Sequence, residues 1–374
     1  MGRVGRLVSC GLAAGLASLA LARGPVPQSI PIPGGEGGVG FDDLRFSSSL
    51  GRLLVPSART GALVLVEPRS WIVTRIGGFS TREDYTGGHS DGVTSADEGR
   101  GYIFVTDRTS RRLAVIDPSD GRVVSSAKLS ASPDYVRYVS PTDEVWVTQP
   151  DEEQIEVFRL EGNPPRPLHA SVIEVKGGPE SLVVDPGRRL AFTHLWKGQT
   201  AVVGLKSHTV TSTWRNGCEG SRGIALDEEN GFVFVGCAEG KGVVLDEKSG
   251  KIIGRLDVGE GVDVIDYSPA LRHLYLPGSK SGTMAIAEVE SDGKLRLLRT
   301  VPTVSGGHCV AADAFGFAYV CDPNGGSLLV IPDGKAPGYE APYPRGARDP
   351  RARSRPSRRQ GRSADGHGRS GHVP

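Results

Sequence analysis

Aromatic residues and long apolar runs are both scarce in this chain of 374 residues. Phe, Trp and Tyr make up 6% of the sequence, and only one apolar stretch is longer than ten residues. A single such run excludes a polytopic membrane protein, because each spanning helix needs about 20 apolar residues. The sequence is 38% hydrophobic and contains 52 glycines and 26 prolines. This composition favours many short elements separated by turns over a few long helices.

Several motifs that carry well-known chemistry are also missing. The chain contains no Cys-x-x-Cys, no Gly-Lys-Ser/Thr phosphate loop and no His-Glu-x-x-His helix. These absences exclude thioredoxin chemistry, covalent haem, P-loop nucleotide hydrolysis and the commonest zinc proteases. The sequence therefore contains none of these three signatures.

The one apolar run lies at the N-terminus and predicts a signal peptide over residues 1–22. Arg3 and Arg6 precede residues 7–22, which carry no charge and end in Ala20-Leu21-Ala22. This run is short for a spanning helix, and its small-x-small end is typical of a cleavage site. We expect an exported protein, periplasmic or extracellular, with no transmembrane span in the mature chain. An uncleaved N-terminal anchor is the alternative.

The C-terminal end has a different composition and predicts a disordered tail over residues 335–374. Residues 341–374 contain nine arginines and two aspartates among repeated Pro, Gly and Ser, and this composition cannot build a core. The tail carries a net charge of +7, and the two arginines of the leader add +2. Since the whole chain has a net charge of +1, residues 23–340 carry −8. A DNA-binding or envelope-binding arm is the alternative to a solvated tail.

The segment between these ends repeats one pattern of short apolar strands and turns seven times. The last residues of the seven second-strand centres lie 50, 42, 45, 43, 41 and 44 residues apart. Such a period, with three to four strands in each repeat, predicts an all-β, seven-bladed β-propeller of four-stranded blades over residues 41–334. The centres are Leu53-Leu54-Val55, Ile103-Phe104-Val105, Val145-Trp146-Val147, Leu190-Ala191-Phe192, Val233-Phe234-Val235, Leu274-Tyr275-Leu276 and Ala318-Tyr319-Val320.

The last repeat has only three strands before the chain reaches Asp333-Gly334. Residues 28–32, within the N-terminal segment 23–40, read as an edge strand that contains proline. We predict that this segment supplies the missing outer strand. The ring would then be closed and would have no exposed sheet edge.

The repeats resemble a known family. Tyr102-Ile103-Phe104-Val105-Thr106-Asp107, followed by Leu113-Ala114-Val115-Ile116-Asp117, is similar to the YVTN-type propeller repeat, and the whole chain resembles the YncE-like exported propellers. The resemblance covers residues 41–334 and implies the propeller fold. It implies no catalytic residues, because members of the wider group include nucleic-acid binders, surface proteins and companions of redox enzymes.

One position, just before the first strand of each blade, carries a polar residue in every repeat. In a propeller this position faces one mouth of the central channel, so we expect a ring of mostly acidic side chains there. A ring of carboxylates suggests a site for a divalent cation or a polar ligand, and bonding to neighbouring backbone amides is the structural alternative. The ring members are Asp42, Asp91, Asp134, Glu180, Arg222, Asp263 and His308, and His89 is expected beside them.

The cysteines predict disulfide bonds. Cys10 leaves with the leader, and an even number of cysteines remains in an oxidising compartment. Cys218 and Cys237 flank one hairpin, and Cys309 and Cys321 flank another, so two disulfides are expected. A reactive thiol or soft-metal ligand at Cys309 is the alternative for the second pair.

We expect a monomeric binding or scaffolding protein without catalytic activity, which recognises an unidentified ligand or partner protein at the channel mouth and the top loops. The long insertion at residues 79–90 supports this prediction, since loops on a rigid scaffold commonly carry binding sites. A metal-dependent hydrolase or lactonase that uses the acidic ring is one alternative. Binding of single-stranded nucleic acid, which the family resemblance implies, is another, although the acidic body opposes it.

Overall fold

A computed structural model describes Gly2 and residues 28–333 of the chain. These residues form 28 β-strands and one short 3-10 helix, Pro150–Glu152. None of the described segments is a helix of the length and apolar character that crossing a bilayer requires. Apart from Gly2, the predicted signal peptide (1–22) lies outside the described residues, and so does the predicted tail (335–374).

The strands pair into seven antiparallel sheets of four strands each, and this arrangement confirms the predicted propeller. The first four blades are β2 (Arg45–Ser47), β3 (Arg52–Pro56), β4 (Leu63–Val66), β5 (Val73–Ile76); β6 (Val93–Gly99), β7 (Tyr102–Asp107), β8 (Arg112–Asp117), β9 (Arg122–Lys128); β10 (Val136–Val139), β11 (Glu144–Gln149), β12 (Gln154–Glu161), β13 (Arg166–Glu174); and β14 (Val183–Asp185), β15 (Leu190–Leu195), β16 (Gln199–Gly204), β17 (Thr209–Arg215). The last three are β18 (Ser221–Asp227), β19 (Phe232–Cys237), β20 (Lys241–Asp246), β21 (Ile252–Asp257); β22 (Asp266–Ser268), β23 (His273–Gly278), β24 (Thr283–Val289), β25 (Leu295–Pro302); and β26 (Val310–Ala312), β27 (Phe317–Asp322), β28 (Ser327–Pro332) with β1 (Gln28–Pro31).

The seventh blade contains the predicted closing strand. β1 pairs antiparallel with β28, from Gln28 opposite Val330 to Pro31 opposite Ser327. Ile30 of β1 is 3% exposed and belongs to the core that the first and seventh blades share. Strand β1 therefore supplies the outer strand of the last blade, as the sequence predicts.

The core lies between the blades, because each sheet packs both of its faces against neighbouring sheets. The second and third strands are consequently buried on both sides, as Ile103, Phe104 and Val105 of β7 show with 0% exposure each. Strands buried on both faces read as continuous apolar runs rather than alternating ones. The outermost strands differ, and β25 is almost wholly exposed along its length.

One of the two predicted disulfides is formed. Cys218 and Cys237 are bonded, with their Cα atoms 5.3 Å apart. Cys309 and Cys321 are both free, so the prediction of a second disulfide is wrong. The backbone N–H of Cys321 donates to the carbonyl of Cys309 at 3.0 Å, so the two residues are opposite in register. The sulfur of Cys321 instead accepts the backbone N–H of Cys309 at 3.1 Å.

Candidate functional site

The blades bring two kinds of segment to the same end of the channel. The first and second strands of a blade are antiparallel, so the start of the first lies beside the end of the second. Backbone hydrogen bonds join these segments: Asp134 N–H donates to Thr148 O, and Glu180 N–H donates to His194 O, both at 2.9 Å. Residues just before first strands and just after second strands therefore form the mouth together.

Seven of the eight predicted mouth residues come together at this end. A cavity of about 480 Å³ is lined by His89, Asp134, Glu180, Arg222 and Asp263. Asp42 lies behind His89, with 3.0 Å between its Oδ2 and the histidine Nδ1. The ring of His308 stacks on that of His89, with 5.6 Å between the ring centroids.

Asp91 does not join the ring, in contrast to the sequence prediction. Its Oδ2 accepts a hydrogen bond from Arg82 Nη1 at 2.7 Å on the exposed loop. Gly92, which follows it, has a φ of 65° and turns the chain immediately before β6. His89 therefore occupies the place in the second blade that the sequence analysis gave to Asp91.

Arg108 is the principal mouth residue that the sequence analysis missed. Its Nη2 lies 2.5 Å from Asp134 Oδ1 and 3.3 Å from Asp42 Oδ2, so one guanidinium joins two ring carboxyls. Arg108, Pro150 and Trp196 each follow the last residue of a second strand, and all three line the cavity. These positions lie three or four residues after the predicted second-strand centres, so following each second strand to its end identifies them.

The mouth residues affect one another's pKa values, as Asp42 and His89 show. Burial disfavours the charged form of Asp42, but His89 and Arg108 outweigh it and hold the pKa of Asp42 below its usual value. In return, the charge of Asp42 raises the pKa of His89 to about 9. At neutral pH this pair is consequently a carboxylate and an imidazolium.

Two other carboxyl groups of the ring, those of Asp134 and Glu180, have raised pKa values. Burial, together with the charge of Asp42, raises the pKa of Asp134 to about 7. Burial and the charge of Asp134 raise the pKa of Glu180 to about 9, although Arg222 Nη1 lies 2.9 Å from its Oε1. Burial is therefore the main reason that these two carboxyl groups keep their protons, and the neighbouring carboxylates add to its effect.

Asp263 completes the acidic surface and is the least engaged of the ring carboxyls. One of its oxygens lies within 4.8 Å of ring nitrogens of both His89 and His308. Among the described residues it forms no hydrogen bond or ion pair. Its carboxylate therefore faces the cavity without a direct partner.

His308 is held by two carbonyl oxygens. Its Nδ1 lies 2.8 Å from Gly306 O, and its Nε2 lies 3.0 Å from Phe41 O. A carbonyl only accepts hydrogen bonds, so both ring nitrogens carry a proton and the ring is an imidazolium. Burial opposes this charge, but the adjacent Cys321 outweighs it, and the pKa of His308 lies well above its usual value.

The donor set at the mouth bears on the expected divalent cation. Hard cations take six or more oxygen ligands, usually several of them carboxylates. Asp42, Asp134 and Glu180 are already paired with arginine or histidine. The group of possible ligands around Asp263 adds only two imidazoles, and His308 offers no lone pair in this arrangement. The described mouth residues therefore offer few unpaired oxygen ligands to a hard divalent cation.

One sequence in the mouth loop fits the spacing of a hydrolase nucleophile but lacks its context. Gly88-His89-Ser90-Asp91-Gly92 has the Gly-x-Ser-x-Gly pattern, and Ser90 lines the cavity. In hydrolases this pattern forms a sharp turn between a strand and a helix. Here it lies in a loop that leads into β6, and the described residues around it form no helix.

A second cavity of about 580 Å³ occupies the other end of the channel. Its charged residues mostly join blades together. Arg137 contacts Asp43 through two hydrogen bonds of 2.6 and 3.0 Å, and Asp266 accepts the backbone N–H of Ala312 at 2.8 Å. Asp97 likewise accepts the N–H of Tyr138 at 2.8 Å. These acids serve the structural purpose that the sequence analysis considered for the ring.

Comparisons with known proteins identify a fold and no family. No protein-family model matches the sequence, and no curated protein matches it. A chain of the mitotic checkpoint complex is similar with a TM-score of 0.67 at 13% identity, over 87% of this chain and 98% of the other. A chain of hydrazine synthase from Kuenenia stuttgartiensis is similar with a TM-score of 0.64 at 13% identity, over 84% and 99%.

The third structure is named for its propeller. The β-propeller domain of Cps50 (Swd1) from Myceliophteria thermophila has a TM-score of 0.66 at 12% identity, over 83% of this chain and the whole of that domain. Chains this different in sequence share architecture without sharing function. The comparisons therefore show that the chain has the β-propeller fold.

Proposed function

We propose that this protein is an exported, non-catalytic binding propeller of the YncE-like kind, whose channel mouth receives a cationic side chain of a partner protein. The observation that carries this proposal is an open cavity whose lining includes four carboxyl side chains beside His89, Arg108 and Arg222. Asp134, Glu180, Asp263 and Asp151 line it, and Asp263 has no partner among the described residues. A positive group placed there would gain charge-assisted hydrogen bonds.

The protonated carboxyls support the same conclusion. Glu180, with its pKa raised to about 9, is neutral at pH 7 because burial and the charge of Asp134 outweigh the effect of Arg222, so its ionisation needs further positive charge nearby. An incoming guanidinium or ammonium group would supply that charge and allow the carboxyl to ionise. Binding of the partner would therefore release protons and would strengthen as the pH rises from 7 to 9.

The rim of the cavity adds an aromatic surface. Trp196 lines the cavity and is 38% exposed, whereas Trp146 in the third blade is fully buried. An indole beside carboxylates suits arginine, because guanidinium stacks on aromatic faces while its N–H groups reach the acids. This combination favours a side chain of a partner over a hydrated metal ion.

The architecture fits such a role. Propellers are commonly scaffolds for protein interaction, and two of the similar structures are a chain of the mitotic checkpoint complex and the Swd1 propeller domain. The loop 79–90 stands beside the mouth, since Arg82 reaches Asp91 and His89 lines the cavity. Nucleic acid is disfavoured as the ligand, because phosphates would meet the ring carboxylates.

The proposal is tested with immobilised full-length protein and a panel of short peptides that differ only in a central Arg, Lys, Gln or Glu. We expect Arg and Lys peptides to bind and Glu peptides not to bind. Asp263→Asn should weaken the binding about 10- to 100-fold, since a charged hydrogen bond contributes about 1.5–3 kcal/mol. Asp120→Asn is the matched control, because Asp120 lies on an exposed turn with Arg122. Equal retention by both variants would contradict the proposal.

A further inference from the structure

Two buried sulfur atoms lie behind the mouth, where the cationic-ligand site does not use them. Cys309 and Cys321 are both 0% exposed and both unbonded. Their sulfur atoms and a ring nitrogen of His308 all lie within 4.8 Å of one another. Cys309 precedes β26 and Cys321 belongs to β27, so the hairpin of the seventh blade holds both residues in fixed positions.

The sulfur of Cys321 is placed to accept hydrogen bonds rather than to donate one. Its sulfur accepts the backbone N–H of Cys309 at 3.1 Å and that of His308 at 3.4 Å. His308 Nδ1 lies 3.8 Å from the same sulfur. Two successive backbone N–H groups that converge on one atom form an anion-binding nest, which stabilises a thiolate.

We propose that Cys309 and Cys321 bind one copper(I) ion as a two-coordinate bis-thiolate, with His308 beside it as a neighbouring cation. Thiolates are soft ligands that select copper(I) over hard cations. Two metal–sulfur bonds of about 2.3 Å in a line span about 4.6 Å. Because the two sulfurs lie within 4.8 Å of each other, a single ion between them can contact both.

The coordination number separates copper(I) from zinc. Structural zinc sites are almost always four-coordinate. Of the three possible ligands that lie together among residues 28–333, the two sulfurs are available, because both nitrogens of His308 are occupied by the carbonyls of Gly306 and Phe41. The imidazolium instead offsets the negative charge that two thiolates and one monovalent cation leave. No electron is transferred on binding, and any proton still carried by either sulfur passes to solvent.

The chain contains an internal comparison for this pair. Cys218 and Cys237 also flank a hairpin, and they are joined as a disulfide. No backbone N–H donates to the sulfur of either residue among the described residues. The copper site is independent of the proposed peptide binding, so either proposal can fail without the other.

The test uses the full chain, purified under anaerobic conditions and titrated with copper(I) against bathocuproine disulfonate. We expect one copper per chain, lost in Cys309→Ser and in Cys321→Ser. The double variant Cys218→Ser/Cys237→Ser is the matched control, since it removes the cysteines of the fifth blade and should retain the metal. His308→Gln should weaken binding about 10- to 100-fold without abolishing it, as expected for a group in the outer shell of a metal site.

X-ray absorption at the copper edge of the unsubstituted protein tests the same site without relying on the folding of a variant. Two sulfur neighbours and no nitrogen neighbour are expected. Retention of copper by both serine variants would overturn the proposal, and so would a first shell of nitrogen or oxygen. Peptide mapping that finds Cys309 and Cys321 joined as a disulfide in the purified protein would overturn it as well.

Discussion

His89 and Asp42 form an ion pair of 3.0 Å although 47 residues separate them in the chain. Neither residue lies in a strand; each stands in the segment that precedes the first strand of its blade. The pair therefore exists only when the first two blades are docked side by side. Ion pairs at the mouth therefore form only in the assembled ring, and their loss would indicate that the blades have separated.

Arg108 is expected to be the most important single charge for the stability of the mouth. Its side chain is 15% exposed and contacts both Asp42 and Asp134. Arg108→Met would leave these buried carboxyls without their shared cation and should lower the free energy of unfolding by about 3 kcal/mol. Urea denaturation measures the change.

Arg122→Met provides the comparison within the same blade. Arg122 pairs with Asp120 on an exposed turn, where ion pairs contribute little. The unfolding midpoint of this variant should match that of the unsubstituted protein. If the two variants are equally stable, the bridging role of Arg108 is wrong.

The protonated Glu180 gives a dependence of stability on pH with a defined sign. Its pKa is raised to about 9 in the native state and lies near 4.5 when the chain is unfolded. The native state therefore binds more protons between these values, and this group's effect on the free energy of unfolding becomes less favourable as pH rises. His89, with its pKa raised from 6.5 to about 9, acts in the same direction between pH 6.5 and 9.

Glu180→Gln isolates that contribution. Glutamine has no proton to lose, so the variant should lose less stability than the unsubstituted protein between pH 7 and pH 9. Denaturation curves at both pH values measure the difference. Glu174→Gln, an exposed substitution on β13, should follow the unsubstituted protein. Parallel pH profiles for all three proteins would refute the assignment.

The closing strand is expected to stabilise the whole ring. Ile30 is 3% exposed in the core between the first and seventh blades, whereas Ser29 on the same strand is exposed. Ile30→Ala should lower the free energy of unfolding by about 3 kcal/mol, and Ser29→Ala should have little effect. Thermal unfolding followed by circular dichroism compares the two. A normal melting temperature for Ile30→Ala would argue against closure by β1.

The disulfide of the fifth blade should stabilise the protein as well. Cys218 and Cys237 close a loop with a sequence separation of 19 residues. Removing this link with Cys218→Ser/Cys237→Ser should cost about 3 kcal/mol. Urea denaturation of this double variant, compared with the unsubstituted protein, gives the value. An unchanged midpoint would show that the bond is absent or does not stabilise the protein.

The blades could be predicted from the sequence, whereas parts of the mouth could not. Second strands such as β7 are buried on both faces and appear as continuous apolar runs, so their spacing shows the repeat directly. Asp91 was misplaced because the insertion at 79–90 and the turn at Gly92 shift the register of one blade. Arg108 was missed because its partners come from two other blades, and a repeat pattern does not show contacts between blades.

The cysteine pairs show a further limit. Both pairs flank hairpins, with separations of 19 and 12 residues, so the sequence predicts a disulfide at each. The difference lies in the positions of a few backbone N–H groups around the sulfur of Cys321, which no spacing rule specifies.

The most direct test of the central claim is the affinity of the full chain, by isothermal titration at pH 7, for two pentapeptides that differ only by arginine or citrulline. Citrulline keeps the shape of arginine and lacks its charge. Recognition by the ring carboxyls predicts that the arginine peptide binds at least about tenfold more tightly, and that Asp263→Asn reduces this preference. Equal affinity for the two peptides would contradict a mouth that selects a cationic side chain.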